Sequence, residues 1–591
     1  MVQTHPGYRR CASPIEPTGG LMITAIRPLF SKNISSIDSN EEDAIFVVDP
    51  DLGGLGRIDV RTGLFQCLLN FKHFNEFERA AALCMRPDGT IHYCRSNLIH
   101  TVSIENGSVH AATGPITIDA AQSIVGLCWK DGRYYVADVT GSLLVVENSE
   151  LIRTVRIGNG INDMTLHGDR LLILRGVSRA VHIVDLDGTH VASVTVPHDG
   201  AVGIAAVKTS DAKEPCVYVY YNQCNWDVFD DAGSELTSNG SANITLRNDA
   251  RDGFIERLDY QIADLGRGNN FCLSGGYEIE FTYAEMLKPI GDILDELEGI
   301  KLCIRLSIPV DTPRQKVKSL ETIGDIPAAV TEDEEGNAIV EFDLTGIRLD
   351  KECRIFGYHA IIDAYGIRYK LNGASTDDYP ADIRRRFLKE ESRYDMGRQE
   401  LKDIAERLLA GIPTQERGNV IRIAKAVREY VYSRLGYRCN SRYTSPVETL
   451  RLGEGTCGKY MELMIGLLRL CGVACRPVGD FKVPEYKLRY VPVGSICTPD
   501  NDHAWVEFYV PEVGWVPMES SSDGVPEKHD RFFGALSWVY IENSRTDKMC
   551  KICKPGSWEN IDQDLRYSEL FIPEIQIRIL KALRPSLDPS H

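Results

Sequence analysis

At 591 residues the chain is too long for a single hydrophobic core, and about one domain per ~150 residues gives three or four. Its 43% hydrophobic and 25% charged content is ordinary for a globular protein, and the formal net charge of -18 argues against nucleic-acid binding, which needs a basic face. No stretch reaches the ~20 apolar residues that span a bilayer: the longest, Met461 to Val478, is interrupted by Glu462, Arg469 and Arg476.

Arg9 and Arg10 precede an apolar piece, Leu21–Ile26, that is too short for a signal peptide, so no membrane or export signal is expected. The 17 cysteines have no regular spacing and read as reduced, mostly buried thiols of a cytoplasmic protein. Their odd number leaves at least one thiol unpaired, and an activated cysteine is chemically permitted.

A short pattern, a β-rich run ending in a polar turn with a small residue, recurs through the first third. It stands at Ile58–Gly63, Val102–Gly107, Leu144–Ser149, Ile183–Gly188 and Val228–Gly233, a spacing of roughly 40 residues that suits four-stranded propeller blades. In phase with it, Asp88-Gly89, Asp131-Gly132 and Gly168-Asp169 feed β-rich runs such as Arg133–Ala137 and Arg170–Leu174. Such pairs tolerate the positive φ of tight hairpin turns. Residues 30–255 are therefore expected to form a β-propeller of at least five blades, after an N-terminal extension at 1–29. It resembles propellers with degenerate repeats in architecture only, and offers a surface for a protein partner.

From about Gly276 the period stops. Short strands are predicted at Tyr277–Thr282, Lys301–Ile308, Ala338–Leu344 and Arg354–Asp363, a middle β-sandwich over 256–375. Helical spacing then appears in Leu401, Ile404, Ala405, Leu408 and Leu409, ending before Pro413. A second helix follows through Val420, Ile423, Ala424, Val427 and Val431, ending at Gly436.

The chemistry-bearing residues lie in 439–525. Gly453-Glu-Gly-Thr-Cys-Gly458 opens an amphipathic stretch in which Tyr460, Met464, Leu467, Leu468 and Cys471 share a face. Cys457 is thus placed in the first turn of a helix, where free N–H groups and the dipole favour a thiolate. The loop glycines suit an oxyanion hole. Asp502–Tyr509 and Gly514–Glu519 read as a hairpin around Pro511-Glu512-Val513, bringing His503 near Glu519. A cysteine nucleophile needs such a base and a third group to fix its tautomer. Trp505 and Trp515 read as packing residues. Cys550-x-x-Cys553 lacks the second ligand pair of a structural zinc site, and neither metal nor cofactor is expected. The tail from Arg566 to Leu583 reads as a last amphipathic helix.

These blocks resemble the transglutaminase-like superfamily. Gly455-Thr-Cys-Gly458, Asp502-His-Ala-Trp505 and Gly514-Trp-Val-Pro517 stand in the family's order, with Ser445–Leu450 and the 420–435 helix also fitting. The string Ile308–Val317 resembles a segment of the sandwich domain that precedes many bacterial members, and Asp333–Asn337 fits the same pattern. The resemblance implies a papain-like α+β catalytic domain at 376–530, followed by a C-terminal extension at 531–591. It implies Cys457 as nucleophile and His503 as base. Glu519 stands where the family has aspartate, with Asp523 as the alternative third member. The expected activity is cysteine-dependent acyl transfer through a thioester, on a peptide, protein or acyl-thioester substrate. The alternatives are a cysteine peptidase or amidase of the same fold, and a non-catalytic scaffold. No EF-hand-like loop supports calcium dependence.

Overall fold

The computed structural model describes most of residues 25–587, leaving out 27, 29–32, 50–53, 70, 74–75, 225–250, 290–302, 333–336, 346–351, 439–443, 486–487, 489–491, 500–501, 520, 522–530 and 544–570. The Val228–Gly233 repeat, Asp523 and the Cys550/Cys553 pair lie outside the described residues.

The first half folds as five four-stranded antiparallel sheets in succession. The turn pairs found in the sequence close their hairpins: Lys130 pairs with Arg133 around Asp131 (φ 50°) and Gly132 (φ 86°), backbone that only a few residue types adopt readily. The first strands of the sheets, Ser36–Asp38, Ala82–Met85, Ile124–Lys130, Asp163–His167 and Ala201–Val207, touch one another in order, and the fifth returns to the first. Apolar clusters fill each seam. Ile37, Ile45 and Val47 of the first sheet pack with Ala205, Val207 and Tyr220 of the fifth. The arrangement is a closed, propeller-like ring. Its fifth sheet is completed by the N-terminal strand Ala25–Ile26, which pairs with Ile255 and Glu256.

At the centre, the buried Asp163 carboxylate accepts from Ser36 Oγ (3.1 Å), Ile37 N (3.3 Å) and Ile204 N (3.1 Å), tying three sheets together. A buried acceptor with several donors makes such a joint, because leaving those donors unpaired would cost free energy.

The middle of the chain forms a large antiparallel sheet around two long strands, Asn269–Leu287 and Arg354–Lys370, paired from Asn270–Lys370 to Leu287–Arg354. A bulge at Ser274–Gly276 is obligatory for glycine, since a Cβ on Gly276 would stand 1.8 Å from Ala364 O. The predicted strands at Lys301–Ile308 and Ala338–Leu344 appear as Cys303–Ser307 and Ala338–Asp343, joined by Ala328–Glu332 into a second sheet. Ile304, Leu306, Val340 and Phe342 of this sheet share one core with Ile279, Phe281, Tyr358 and Ile362 of the first.

The tail departs from its expected helix. Phe571–Leu583 is a strand inserted between Asn269–Leu287 and Ile496–Cys497 in the large sheet. Its charges fall opposite acids of its neighbour, with Arg578–Glu280 at 3.1 Å and Lys581–Glu278 at 3.1 Å. Cross-strand pairing of this kind decided against the helical period.

The last unit packs helices on a four-stranded sheet. Helices α1 (Gln399–Gly411) and α2 (Val420–Arg434) match the predicted stripes. Asn419 caps α2, its side chain accepting from Ile421 N and Arg422 N. Helix α3 (Pro446–Leu452) has a capping box, Ser445 with Glu448, and ends at Gly453 with φ 71°. Helix α4 (Cys457–Leu470) is buried along most of its length, and its Gly466 lets Tyr394 O approach to 2.6 Å from where a Cβ would be. The sheet holds strands β1 (Cys475–Lys482), β2 (Asp502–Val510), β3 (Gly514–Met518) and β4 (Tyr540–Glu542) in the order β3-β2-β1-β4. Val506, Phe508, Val510, Val516 and Met518 pack with Leu463, Met464, Leu467 and Leu468 of α4. Among the described residues, no helix is long and apolar enough to cross a membrane.

Candidate active site

Cys457 is the first residue of α4. The chain reaches it from α3 through the αL turn at Gly453 and the two-residue strand Glu454–Gly455, which runs parallel to Gly436–Tyr437. Gly436 N donates to Gly453 O (2.8 Å) and Arg438 N to Gly455 O (3.0 Å), fixing the approach. A Cβ on Gly455 would lie 2.9 Å from Lys459 Cβ, so glycine keeps the loop close to the helix. Thr456, the N-cap, has extended backbone and makes no side-chain cap bond. The positive end of α4 is therefore directed at the Cys457 thiol rather than neutralised by its cap. Cys67 and Cys353 are exposed, Cys457 is intermediate, and Cys471 and Cys475 are buried.

The hairpin carries the other two predicted residues. Val510 pairs with Gly514 across a turn in which Glu512 has φ 67°, and Val506 pairs with Met518. Glu519 continues β3 on the face of His503, two positions along, the diagonal spacing at which side chains meet across a sheet. His503 Nε2 donates to Glu519 Oε1 at 2.8 Å. The other imidazole nitrogen is left for Cys457, which acts together with Glu519 to favour the charged imidazole. His503 is thus hydrogen-bonded to Glu519 and electrostatically coupled to Cys457.

Glu519 is fully buried, and its carboxylate accepts from Ser521 N (2.9 Å) and Ser521 Oγ (3.2 Å). Its backbone is held on both sides: Arg428 Nε donates to Glu519 O (3.2 Å), and Glu519 N donates to Phe532 O (3.2 Å). Sequence reasoning missed Ser521 and Arg428. Only the serine two positions after Glu519 left a local signal, since short hydroxyl side chains commonly bond neighbouring groups. Trp505 is buried in the core, as expected of a packing residue, and Trp515 lies under Arg476, whose guanidinium carbon is 4.0 Å from its ring centroid.

Burial disfavours the His503 imidazolium, but hydrogen bonds to Cys457 and Glu519 and their negative charges outweigh it, raising its pKa to about 10. The folded value lies above the unfolded one, so the resulting stability is fully present below about pH 6.5 and is lost as pH rises toward 10. The melting temperature of the wild type should therefore exceed that of His503→Gln most at about pH 6, by on the order of a few kcal/mol in stability, and the gap should close near pH 10. Thermal melts at intervals across this range check it; a gap constant with pH would contradict the charged pair.

A thiol at a helix N-terminus, coupled to an imidazole that is hydrogen-bonded to a buried carboxylate, is equipped for nucleophilic attack with proton transfer. Residues 402–520 match the family model of the Transglutaminase-like superfamily, and the chain carries a transglutaminase-like domain there, a class of cysteine-dependent enzymes. Uncharacterized protein YebA of Bacillus subtilis (strain 168) is 33% identical over 123 residues, covering 19% of this chain; the chain spans only 17% of that relative's length.

Among solved structures, a provisionally assigned cysteine protease from Cytophaga hutchinsonii is 14% identical, covering 56% of this chain and 94% of that one, with a TM-score of 0.33. The Myxococcus xanthus glutaminyl cyclase is 16% identical over 34% of this chain and 89% of its own, with a TM-score of 0.26. The WD40 β-propeller domain of Doa1 is 11% identical over 35% and 67%, with a TM-score of 0.23.

Proposed function

We propose that the protein is a transglutaminase-like acyltransferase in which Cys457 is the nucleophile, His503 the general base and Glu519 the residue that orients the histidine. The observation that carries this reading is the His503–Glu519 hydrogen bond, with Glu519 fully buried and His503 electrostatically coupled to Cys457 at the N-terminus of α4. The Cys457 sulfur attacks an acyl carbon, and the developing oxyanion is stabilised by the positive helix end and its free N–H groups. His503, holding the thiol's proton on the nitrogen facing Cys457, passes it to the departing amine or thiol, leaving a thioester. An incoming nucleophile then gives its proton to His503 as it attacks the thioester, which frees the thiolate. Glu519 keeps Nε2–H as donor throughout, so the opposite nitrogen is the one that takes and returns the proton.

An amine acceptor gives amide-bond formation, and water gives a peptidase or amidase. The five-sheet ring, read as a five-bladed β-propeller, serves as a rigid platform beside the site and as a surface for a protein partner.

Incubation with a mixed library of glutaminyl peptides and acyl thioesters, with and without primary amines, tests the reaction by intact mass spectrometry. A transient adduct on Cys457 whose acyl group appears on the amine supports acyl transfer. An adduct released only to water favours the peptidase or amidase. Absence of any adduct, together with an ordinary Cys457 alkylation rate, would favour the scaffold.

A further inference from the structure

The segment following the site belongs to its wall, although the family match stops at residue 520. Met518 bridges Phe533, and β4 then runs beside β1 with Lys482 opposite Tyr540. The Tyr540 ring centroid lies 5.7 Å from that of His503 and 5.4 Å from that of Trp505, the latter edge-on. Phe532 closes the cluster at 5.7 Å, and Tyr540 and Trp505 are both fully buried. Close-packed rings of this kind restrict one another's tilt. The Lys482 ammonium also lies over the Tyr540 ring, 5.1 Å from its centroid. Among the described residues, the titratable groups acting on or packed against His503 include Cys457 from α4, Glu519 after β3 and Tyr540 from β4, with Lys482 and Glu485 near the tyrosine.

That wall is pinned from outside the transglutaminase-like domain. Arg314, 2% exposed, donates from Nε to Glu542 Oε1 at 2.9 Å and from its terminal nitrogens to Tyr540 O and Ser537 O. Gln315 beside it donates to Glu542 O at 2.7 Å and accepts from Glu542 N at 2.9 Å. The Thr312-Pro-Arg-Gln315 motif of the middle sheet therefore occupies the backbone of the strand that carries Tyr540. The ring adds a second grip: Arg179, 1% exposed, holds Glu485 with contacts of 2.8 and 2.5 Å, three residues after Lys482.

We propose that Tyr540 is a positioning residue for His503, and that the Arg314–Gln315 motif sets its place, so that the middle sheet completes the site. This inference rests on the reading of Cys457 and His503 as nucleophile and base. A misplaced imidazole should leave Cys457 closer to an ordinary thiol, because the activation of a thiolate depends on its charged partner.

The test follows iodoacetamide alkylation of Cys457 against pH in the full chain, by peptide mass spectrometry, for wild type, Tyr540→Met and Tyr540→Phe. Tyr540→Met should lose about tenfold in rate near neutral pH. Tyr540→Phe, which keeps the ring, should retain the wild-type profile. Should Tyr540→Met fail to fold, Arg314→Lys replaces it; this keeps a charge for Glu542, loses the fork to Tyr540 O, and should change the rate in the same direction. A folded Tyr540→Met or Arg314→Lys with the wild-type profile overturns the proposal while leaving the nucleophile–base reading intact. A wild-type Cys457 that alkylates like Cys353 overturns both.

Discussion

Cys457→Ala should abolish the acyl adduct and reduce turnover by at least about 10⁴-fold, with no compensating thiol, since removing the nucleophile of such a constellation eliminates the covalent route. The structure makes this a sharp expectation because, among the described residues, the cysteines nearest in sequence are poor nucleophiles. Cys471 and Cys475 are buried, and burial raises their pKa to about 12 and, despite the Arg469 charge beside it, about 11 for the second. Both therefore remain protonated at neutral pH. Cys67 and Cys353 are exposed but lie in the ring and the middle unit. Cys457→Ser is the stricter comparison, for it preserves shape and donor. A serine hydroxyl is far less acidic than a thiol, so it should also fail to form the adduct at neutral pH. Melts of both variants should remain near wild type at high pH, where the His503 charge no longer contributes. Retention of adduct formation in Cys457→Ala would remove the cysteine from the mechanism.

Glu519→Gln should lower the adduct-forming rate by about 10²- to 10⁴-fold while changing the fold little. The amide has the carboxylate's shape but no charge to support an imidazolium, and its NH₂ group can face Nε2, forcing the unproductive tautomer. Glu519→Asp asks a different question, because the resemblance places an aspartate here. The backbone of Glu519 is fixed by Arg428 and Phe532, and its carboxylate already meets Nε2 at 2.8 Å. Removing a methylene from a side chain on a fixed backbone withdraws the carboxylate by about 1.5 Å, lengthening that bond beyond useful range. Glu519→Asp should therefore lose about tenfold rather than gain, and rates of adduct formation by mass spectrometry check both variants. An unchanged rate in Glu519→Gln would mean that the carboxylate holds structure only.

The parts of the molecule legible in the sequence are those whose cause is local. Asp131-Gly132 announces its hairpin because the turn demands positive φ, and the glycine-punctuated loop before Cys457 announces a helix start for the same kind of reason. The His503–Glu519 contact was legible because a short hairpin fixes register, and register fixes which side chains meet. Ring closure by Ala25–Ile26 was not legible, since a two-residue strand has no periodicity of its own. The tail was misread for a related reason. Ile575, Ile577 and Ile579 alternate, but a neighbouring helical spacing competes, and only the facing acids Glu278 and Glu280 settle the strand. Tyr540 was invisible as a site residue because its contact with His503 depends on Arg314, 226 positions away in the chain.

The most direct measurement of the central claim is the second-order rate of iodoacetamide alkylation at Cys457 between about pH 5 and 9, with the exposed Cys353 in the same molecule as internal reference. An imidazole-paired Cys457 predicts alkylation at neutral pH at least about tenfold faster than that of Cys353. A Cys457 rate no higher than that of Cys353 would contradict the account, leaving the trio as a packed polar cluster.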